Sequence, residues 1–224
     1  MGSGEGVGVD GISDDEEEVP YFKDHLNHLK DHFCAEVFKS ESGAEYMNDA
    51  DMVFLCSSFG GRHFKELRSH GKLIVGPSIV RTCAAKSKPL IKPQANRPLY
   101  SDSMAGITVA LVGIPKKKCL EAVDLVHFMG GSTRRKFSPS VTHLISESAM
   151  GAEYRAAVSR RCSVVHLKWL NVAWALRNNV GASVTAIDFV KNFLVEPFCG
   201  LSIWFLGYSE DELVHLRRAV VEHS

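Results

Sequence analysis

The clearest periodicity lies in the middle of the chain. Residues 108–114, Thr-Val-Ala-Leu-Val-Gly-Ile, form a short apolar run interrupted by a glycine, the pattern of a buried strand. Pro115 with Lys116, Lys117 and Lys118 reads as a loop. Beyond it Cys119, Ala122, Val123, Val126 and Met129 recur at the spacing of one helical face. Gly130 and Gly131 stop that helix, as a left-handed C-terminal cap would. Residues 132–136 read as an edge strand, 141–145 as a second buried strand, 151–160 as a second helix and 163–166 as a further strand. A third helix carries Trp169, Val172, Ala173 and Leu176 at i, i+3, i+4 and i+7. The order β-α-β-β-α-β-α over about ninety residues predicts a small α/β unit, its sheet covered by helices on both sides.

The unit repeats. A shift of 91 sets Val164-Val165 on Leu73-Ile74 and Leu144-Ile145 on Val53-Phe54, while a shift of 90 sets residues 151–155 on 61–65. Residues 202–208 match 108–114 at a shift of 94, and a helical pattern over 210–221 follows. These matches predict three copies: a first with a weak opening half, a complete second, and a third consisting of one strand and one helix. Such a pair has no further strands of its own to bury it, so Leu201, Ile203, Trp204 and Phe205 are expected to pack on the middle repeat. On this reading the chain is a fragment or a short isoform of something longer.

The expected organisation is an acidic, unstructured segment at 1–20, a degenerate repeat at 21–95 and a linker at 96–103. A complete repeat at 104–195 and the start of a third at 200–224 follow. The strand-like stretch 7–12 is discounted for its glycines.

Charge follows these boundaries. The chain is neutral overall, with 26 basic and 26 acidic residues, but residues 1–20 carry −7, 21–103 carry +3, 104–180 carry +7 and 181–224 carry −3. Neutrality argues against a general polyanion binder and disfavours nucleic acid, while the basic middle repeat leaves room for a local anion site. A content of 45% hydrophobic and 23% charged residues is ordinary for a globular chain. No apolar run reaches the roughly 18–20 residues that span a bilayer, and the acidic start is unlike a secretory signal. The six cysteines are widely spaced, with no Cys-x-x-Cys pair, and read as reduced buried thiols in an intracellular, soluble protein.

Four marks stand in order: the Val112-Gly113-Ile114 strand end, the Gly130-Gly131 pair, Val141-Thr-His-Leu144 on the third strand, and Trp169 on the third helix. Together they resemble the BRCT domain, which makes the expected fold class α/β: tandem BRCT repeats, each a small parallel sheet flanked by helices. The stretches Ile74-Val-Gly-Pro-Ser78, Arg97-Pro-Leu-Tyr100 with Met104, Asp124-Leu-Val-His-Phe-Met-Gly-Gly131 and Phe137-Ser-Pro-Ser-Val-Thr-His-Leu144 sharpen the likeness. Over roughly residues 50–224 the chain is similar to the N-terminal triple-BRCT region of the Pebble-type, or epithelial cell transforming, Rho guanine-nucleotide exchange factors. The resemblance implies a non-catalytic module in cytokinesis. It would bind the phosphorylated GTPase-activating subunit of centralspindlin and restrain an exchange domain in a longer form. It also implies a nuclear and cytoplasmic protein found at the spindle midzone or cleavage furrow during division. A DNA-damage scaffold binding phosphorylated repair factors is the alternative.

The resemblance also implies a phosphate pocket, made from a Ser or Thr hydroxyl before the glycine ending strand one, the adjoining backbone N–H, and a Lys near the start of helix two. Here Val112 stands at the hydroxyl position and Glu153 at the lysine position. Gly113, Lys116, Lys117, Arg134 and Arg155 are the candidate phosphopeptide contacts, with Lys118, Arg135 and Lys136 beside them. A solvated basic face is the alternative reading of the same residues. Gly130, Gly131 and Trp169 are expected to be structural.

No catalytic constellation, cofactor motif or metal-ligand spacing emerges. His25, His28 and His32 beside Asp24 and Asp31 read as a polar helix face rather than a metal site. Residues 57–61, Ser-Ser-Phe-Gly-Gly, lack the Gly-Lys-Ser/Thr ending of a phosphate-binding loop.

Overall fold

The computed structural model describes residues 6–9, 36–49 and 51–223 and divides into two compact units. The first takes in the described residues up to Ala105 with His127–Gly130 and Ala175–Ala182. The second takes in Gly106–Val126, Gly131–Trp174 and the residues from Ser183 onward. His25, His28, His32 and Cys34 lie outside the described residues.

In the first unit, strands β1 (Gly6–Val9), β2 (Glu36–Lys39), β3 (Val53–Leu55) and β4 (Leu73–Val75) form a parallel sheet in the order β2-β1-β3-β4. Helix α1 (Arg62–Ser69) makes the crossover from β3 to β4, and α2 (Pro77–Ala85) follows β4. Pro77 suits the first turn of α2, where a missing N–H costs nothing. Val53, Leu55, Val75, Ile79, Val80 and Cys83 form one buried cluster.

Composition alone places residues 1–20 outside the fold and argues against a strand over residues 7–12. Gly6–Val9 is nevertheless a strand, and an interior one, paired with β2 on one side and β3 on the other. Ladder hydrogen bonds along both edges offset the conformational entropy that Gly6 and Gly8 lose. The first repeat therefore begins before residue 21.

The stretch expected as a linker is built into the first unit. Leu99 bridges Val75 in parallel, exchanging N–H and carbonyl bonds with Gly76 (2.9 Å) and Ile74 (3.0 Å). The Tyr100 carbonyl accepts from Ile79 N–H at 2.9 Å, and Tyr100 and Met104 donate to the Phe128 and Met129 carbonyls at 2.8 Å each. Tyr100 is fully buried. Its ring lies against Phe59, which stacks on Phe64 and meets Phe128 edge-on.

The second unit repeats the plan. Strands β5 (Thr108–Val112), β6 (Ser132–Arg134), β7 (His143–Ser146) and β8 (Ser163–Val165) lie in the order β6-β5-β7-β8, all parallel. Helices α3 (Lys116–Phe128), α4 (Gly151–Ser159) and α5 (Leu167–Ala175) connect and follow them. A short helix, α6 (Ile187–Val190), comes next. The Gly130 cap forms as expected, with φ +79°, and Gly131 N–H returns to the Val126 carbonyl at 2.9 Å. A Cβ on Gly130 would also come within 3.3 Å of the Ser101 carbonyl oxygen.

Trp169 is wholly buried, its indole N–H donating to the Val184 carbonyl at 2.9 Å. The two sheets correct the repeat offset. β4 (Leu73–Val75) and α2 (Pro77–Ala85) fall on β8 (Ser163–Val165) and α5 (Leu167–Ala175) at a shift of 90, one residue from the 91 that apolar matching suggested. A one-residue slip exchanges the two faces of a strand, and apolar matching does not detect it where both faces are buried.

The expected third-copy strand does not form. Residues 201–206 join no ladder among the described residues, and Leu201, Ile203, Trp204 and Leu206 are exposed, Trp204 at 86%. Only Phe205 is half-buried. An extended apolar segment becomes a strand when a neighbour supplies hydrogen bonds, and composition alone cannot. The helix that follows, α7 (Glu210–Glu222), does form, closed by a capping box between Ser209 and Glu212. That hydrogen bonding holds the Glu212 carboxyl below its ordinary value.

Candidate functional site

Parallel pairing fixes where the candidate residues gather. Because β6, β5 and β7 run the same way, the segments leaving their carboxyl ends emerge along one edge of the sheet, where open α/β sheets bind ligands. From β5 comes Gly113, at φ +71°, then Ile114, Pro115 and the first turn of α3. From β6 come Arg134, Arg135 and Lys136, and from β7 comes the turn into α4. Gly113, Lys116, Lys117, Arg134 and Arg155 are all exposed.

The three lysines do not form the loop expected of them. Lys116, Lys117 and Lys118 are the first turn of α3, whose first hydrogen bond runs from Cys119 N–H to the Pro115 carbonyl at 2.9 Å. The fixed φ of Pro115 favours helix initiation there. No acidic residue occupies this first turn, so three ammonium groups add to the positive end of the helix dipole. That arrangement costs the helix stability and favours an anion.

The β7 side of the edge has the opposite character. Val112 pairs with Ser146, so the one hydroxyl beside the missing donor is on the neighbouring strand. Ser146 is buried and commits its hydroxyl to the Ser148 carbonyl at 2.8 Å. The chain near residue 199 covers the turn that follows. Ala149 N–H donates to the Cys199 carbonyl at 2.8 Å, and a Cβ on Gly200 would fall 2.9 Å from Ser148 Cβ. Glu153 occupies the first turn of α4 and offsets its dipole, while Arg155 stands two residues on.

Glu147 is committed farther along the edge, at the carboxyl end of β8. Its carboxylate accepts from Leu167 N–H at 2.8 Å and lies 3.3 Å from His166 Nδ1, capping α5. No local pattern marks this cap, because donor and acceptor are twenty residues apart. The 199–200 cover was equally illegible, resting on the room left by a single glycine.

The edge therefore has a cationic half, from Lys116 to Lys118 and Arg134 to Lys136, and a covered half under residues 199–200. It can hold an anionic or acidic partner by charge, without the hydroxyl donor of the expected pocket. Among the described residues, no group of His, Cys, Asp or Glu has the proximity to hold a metal ion, and no helix is long and apolar enough to cross a membrane.

Two family models match the chain: a twin BRCT domain over residues 107–169, and the BRCT0 domain of ECT2 over residues 27–100. Protein ECT2 of Homo sapiens is 34% identical over 182 residues, which are 81% of this chain and 19% of that protein. Protein ECT2 of Mus musculus is 34% identical over 178 residues, 79% of this chain and 19% of that protein. The chain thus spans about a fifth of the length of these relatives. Among solved structures, yeast Rtt107 aligns at 13% identity over 97% of this chain and 48% of its own, with a TM-score of 0.43. Rad4 BRCT1,2, solved with a Crb2 phosphopeptide, aligns at 16% identity over 78% of this chain and 91% of its own, with a TM-score of 0.34.

Proposed function

We propose, for a chain that belongs to the BRCT-repeat proteins in their ECT2-like branch, a non-catalytic docking and autoinhibitory module of a Rho guanine-nucleotide exchange factor acting in cytokinesis. The observation that supports it best is the cationic half-edge of the second repeat. Six basic side chains, Lys116 to Lys118 and Arg134 to Lys136, stand at the carboxyl ends of two adjacent parallel strands, with no acidic residue in the helix turn that the lysines form. The partner on this reading is an acidic or phosphorylated protein, such as the GTPase-activating subunit of centralspindlin, and in a longer form the exchange domain itself. Charge replaces the hydroxyl lost at Val112: paired ammonium and guanidinium groups hold phosphate or carboxylate by charge-assisted hydrogen bonds. Gly113 lets the chain leave β5 at positive φ and start α3 with its cations outward.

Adding the chain in trans to an isolated Rho exchange domain tests the autoinhibitory part. Slower nucleotide release from Rho is expected, and unchanged release contradicts it.

A further inference from the structure

We infer that Ser138 is a phosphoacceptor for a proline-directed serine kinase, and that the phosphate it gains is held by the neighbouring cations Arg134, Arg135 and Lys136. Of the eight prolines in the chain, Pro139 alone follows a serine or threonine. The dipeptide sits in the loop between β6 and β7, where the structure presents it in a defined way. Phe137 packs against the core cluster of the second unit, and Val141 belongs to that cluster. Between these anchors, Val141 N–H donates to the Ser138 carbonyl at 3.0 Å, closing a turn with Pro139 at its second position. The Ser138 and Ser140 hydroxyls lie 3.0 Å apart in an exposed hydrogen bond, so neither is committed to the interior. Ser138 is half-buried between exposed Pro139 and the fixed ends of the turn, with its hydroxyl in an exposed hydrogen bond.

The chemistry needs ATP and a kinase. Ser138 Oγ attacks the γ-phosphorus, a new P–O bond forms as the β–γ bridging P–O bond breaks, ADP leaves, and the hydroxyl proton passes to the kinase base. The product adds up to two negative charges within four residues of three exposed cations. Pairing with them would withdraw Arg134 from the docking edge. That consequence rests on the docking reading above; the modification and its pairing do not.

The test uses the folded chain, ATP and a kinase of the cyclin-dependent class, with mass spectrometry to place the phosphate. Phosphate on Ser138 is expected, lost in Ser138→Ala and in Pro139→Ala, which keeps the hydroxyl, and retained in Ser140→Ala. No labelling, labelling elsewhere, or labelling confined to an excised 133–143 peptide overturns the assignment. Phosphorus NMR then reads the pairing. Free phosphoserine loses its second proton near about pH 6. In the chain that step is expected about half a unit or more lower, and to return to the peptide value when Arg134, Arg135 and Lys136 are all changed to Ala. A step at the peptide value in the unaltered chain overturns the pairing.

Discussion

The imidazole of His143 lies flat on the indole of Trp169, with ring centroids 4.8 Å apart and planes 3° from parallel. His143 is buried on β7, and burial lowers its pKa below the ordinary histidine value. Its Nδ1 is 3.0 Å from Thr142 Oγ1, which already donates to the Thr108 carbonyl at 3.1 Å. With that hydroxyl proton committed, Nδ1 is the nitrogen that carries hydrogen, and the ring is neutral in the fold.

A pH dependence follows. The unfolded chain takes up a proton at His143 near about pH 6.5, whereas the folded chain resists it. The unfolded state thus binds more protons between the lowered folded value and the ordinary one, so stability falls as pH drops through that window. Urea midpoints measured from pH 7.5 down to pH 5 should decline, and His143→Phe, which keeps a ring on Trp169, should flatten the decline. An equally steep decline in that variant places the proton elsewhere.

Trp169→Ala removes the other half of the stack and the bond to Val184. A loss of about 3–5 kcal/mol is expected from the cavity, enough to unfold the second repeat in the chain. Thermal melting within a degree or two of the parent would contradict the placement of α5.

In the first unit Gly76 admits Tyr100. A Cβ at Gly76 would lie 2.5 Å from Tyr100 Cδ2 and 2.9 Å from Tyr100 Cα, so side-chain rotation alone gives no relief. Gly76→Ala is expected to cost about 1–3 kcal/mol through overpacking, read as a lower urea midpoint with an unchanged slope.

The Tyr100 hydroxyl lies 2.8 Å from Asn178 Oδ1 and 3.2 Å from the Ser57 carbonyl, and the Arg177 guanidinium stands 5.5 Å from the ring centroid. Tyr100→Phe keeps the ring and should cost about 0.5–1.5 kcal/mol. A neutral result would mean that the hydroxyl bonds add nothing beyond what water supplies in the unfolded chain.

The second repeat was legible in the sequence because its strands and helices announce themselves locally. Apolar runs end at glycine, one face of α3 recurs at helical spacing, and Gly130-Gly131 marks a stop. What stayed hidden depends on partners distant in sequence. Gly6–Val9 is a strand because β2 and β3 flank it, and its glycines conceal that. Residues 202–208 copy an apolar strand yet form none, because no neighbour among the described residues pairs with them. Lys116 to Lys118 looked like a loop by charge, while Pro115 sets the start of a helix. The candidate site was legible to the same degree: Val112 and Glu153 told of the altered pocket, but Ser146, Cys199 and Gly200 entered only through the fold.

The most direct test of the docking edge is calorimetry with a peptide of the centralspindlin GTPase-activating subunit, phosphorylated and unmodified. The phosphorylated form should bind more tightly, and Lys116→Ala together with Arg155→Ala should weaken it by about 1–3 kcal/mol. Equal affinity for the two peptides, or an unchanged affinity in the double variant, would contradict recognition at this edge.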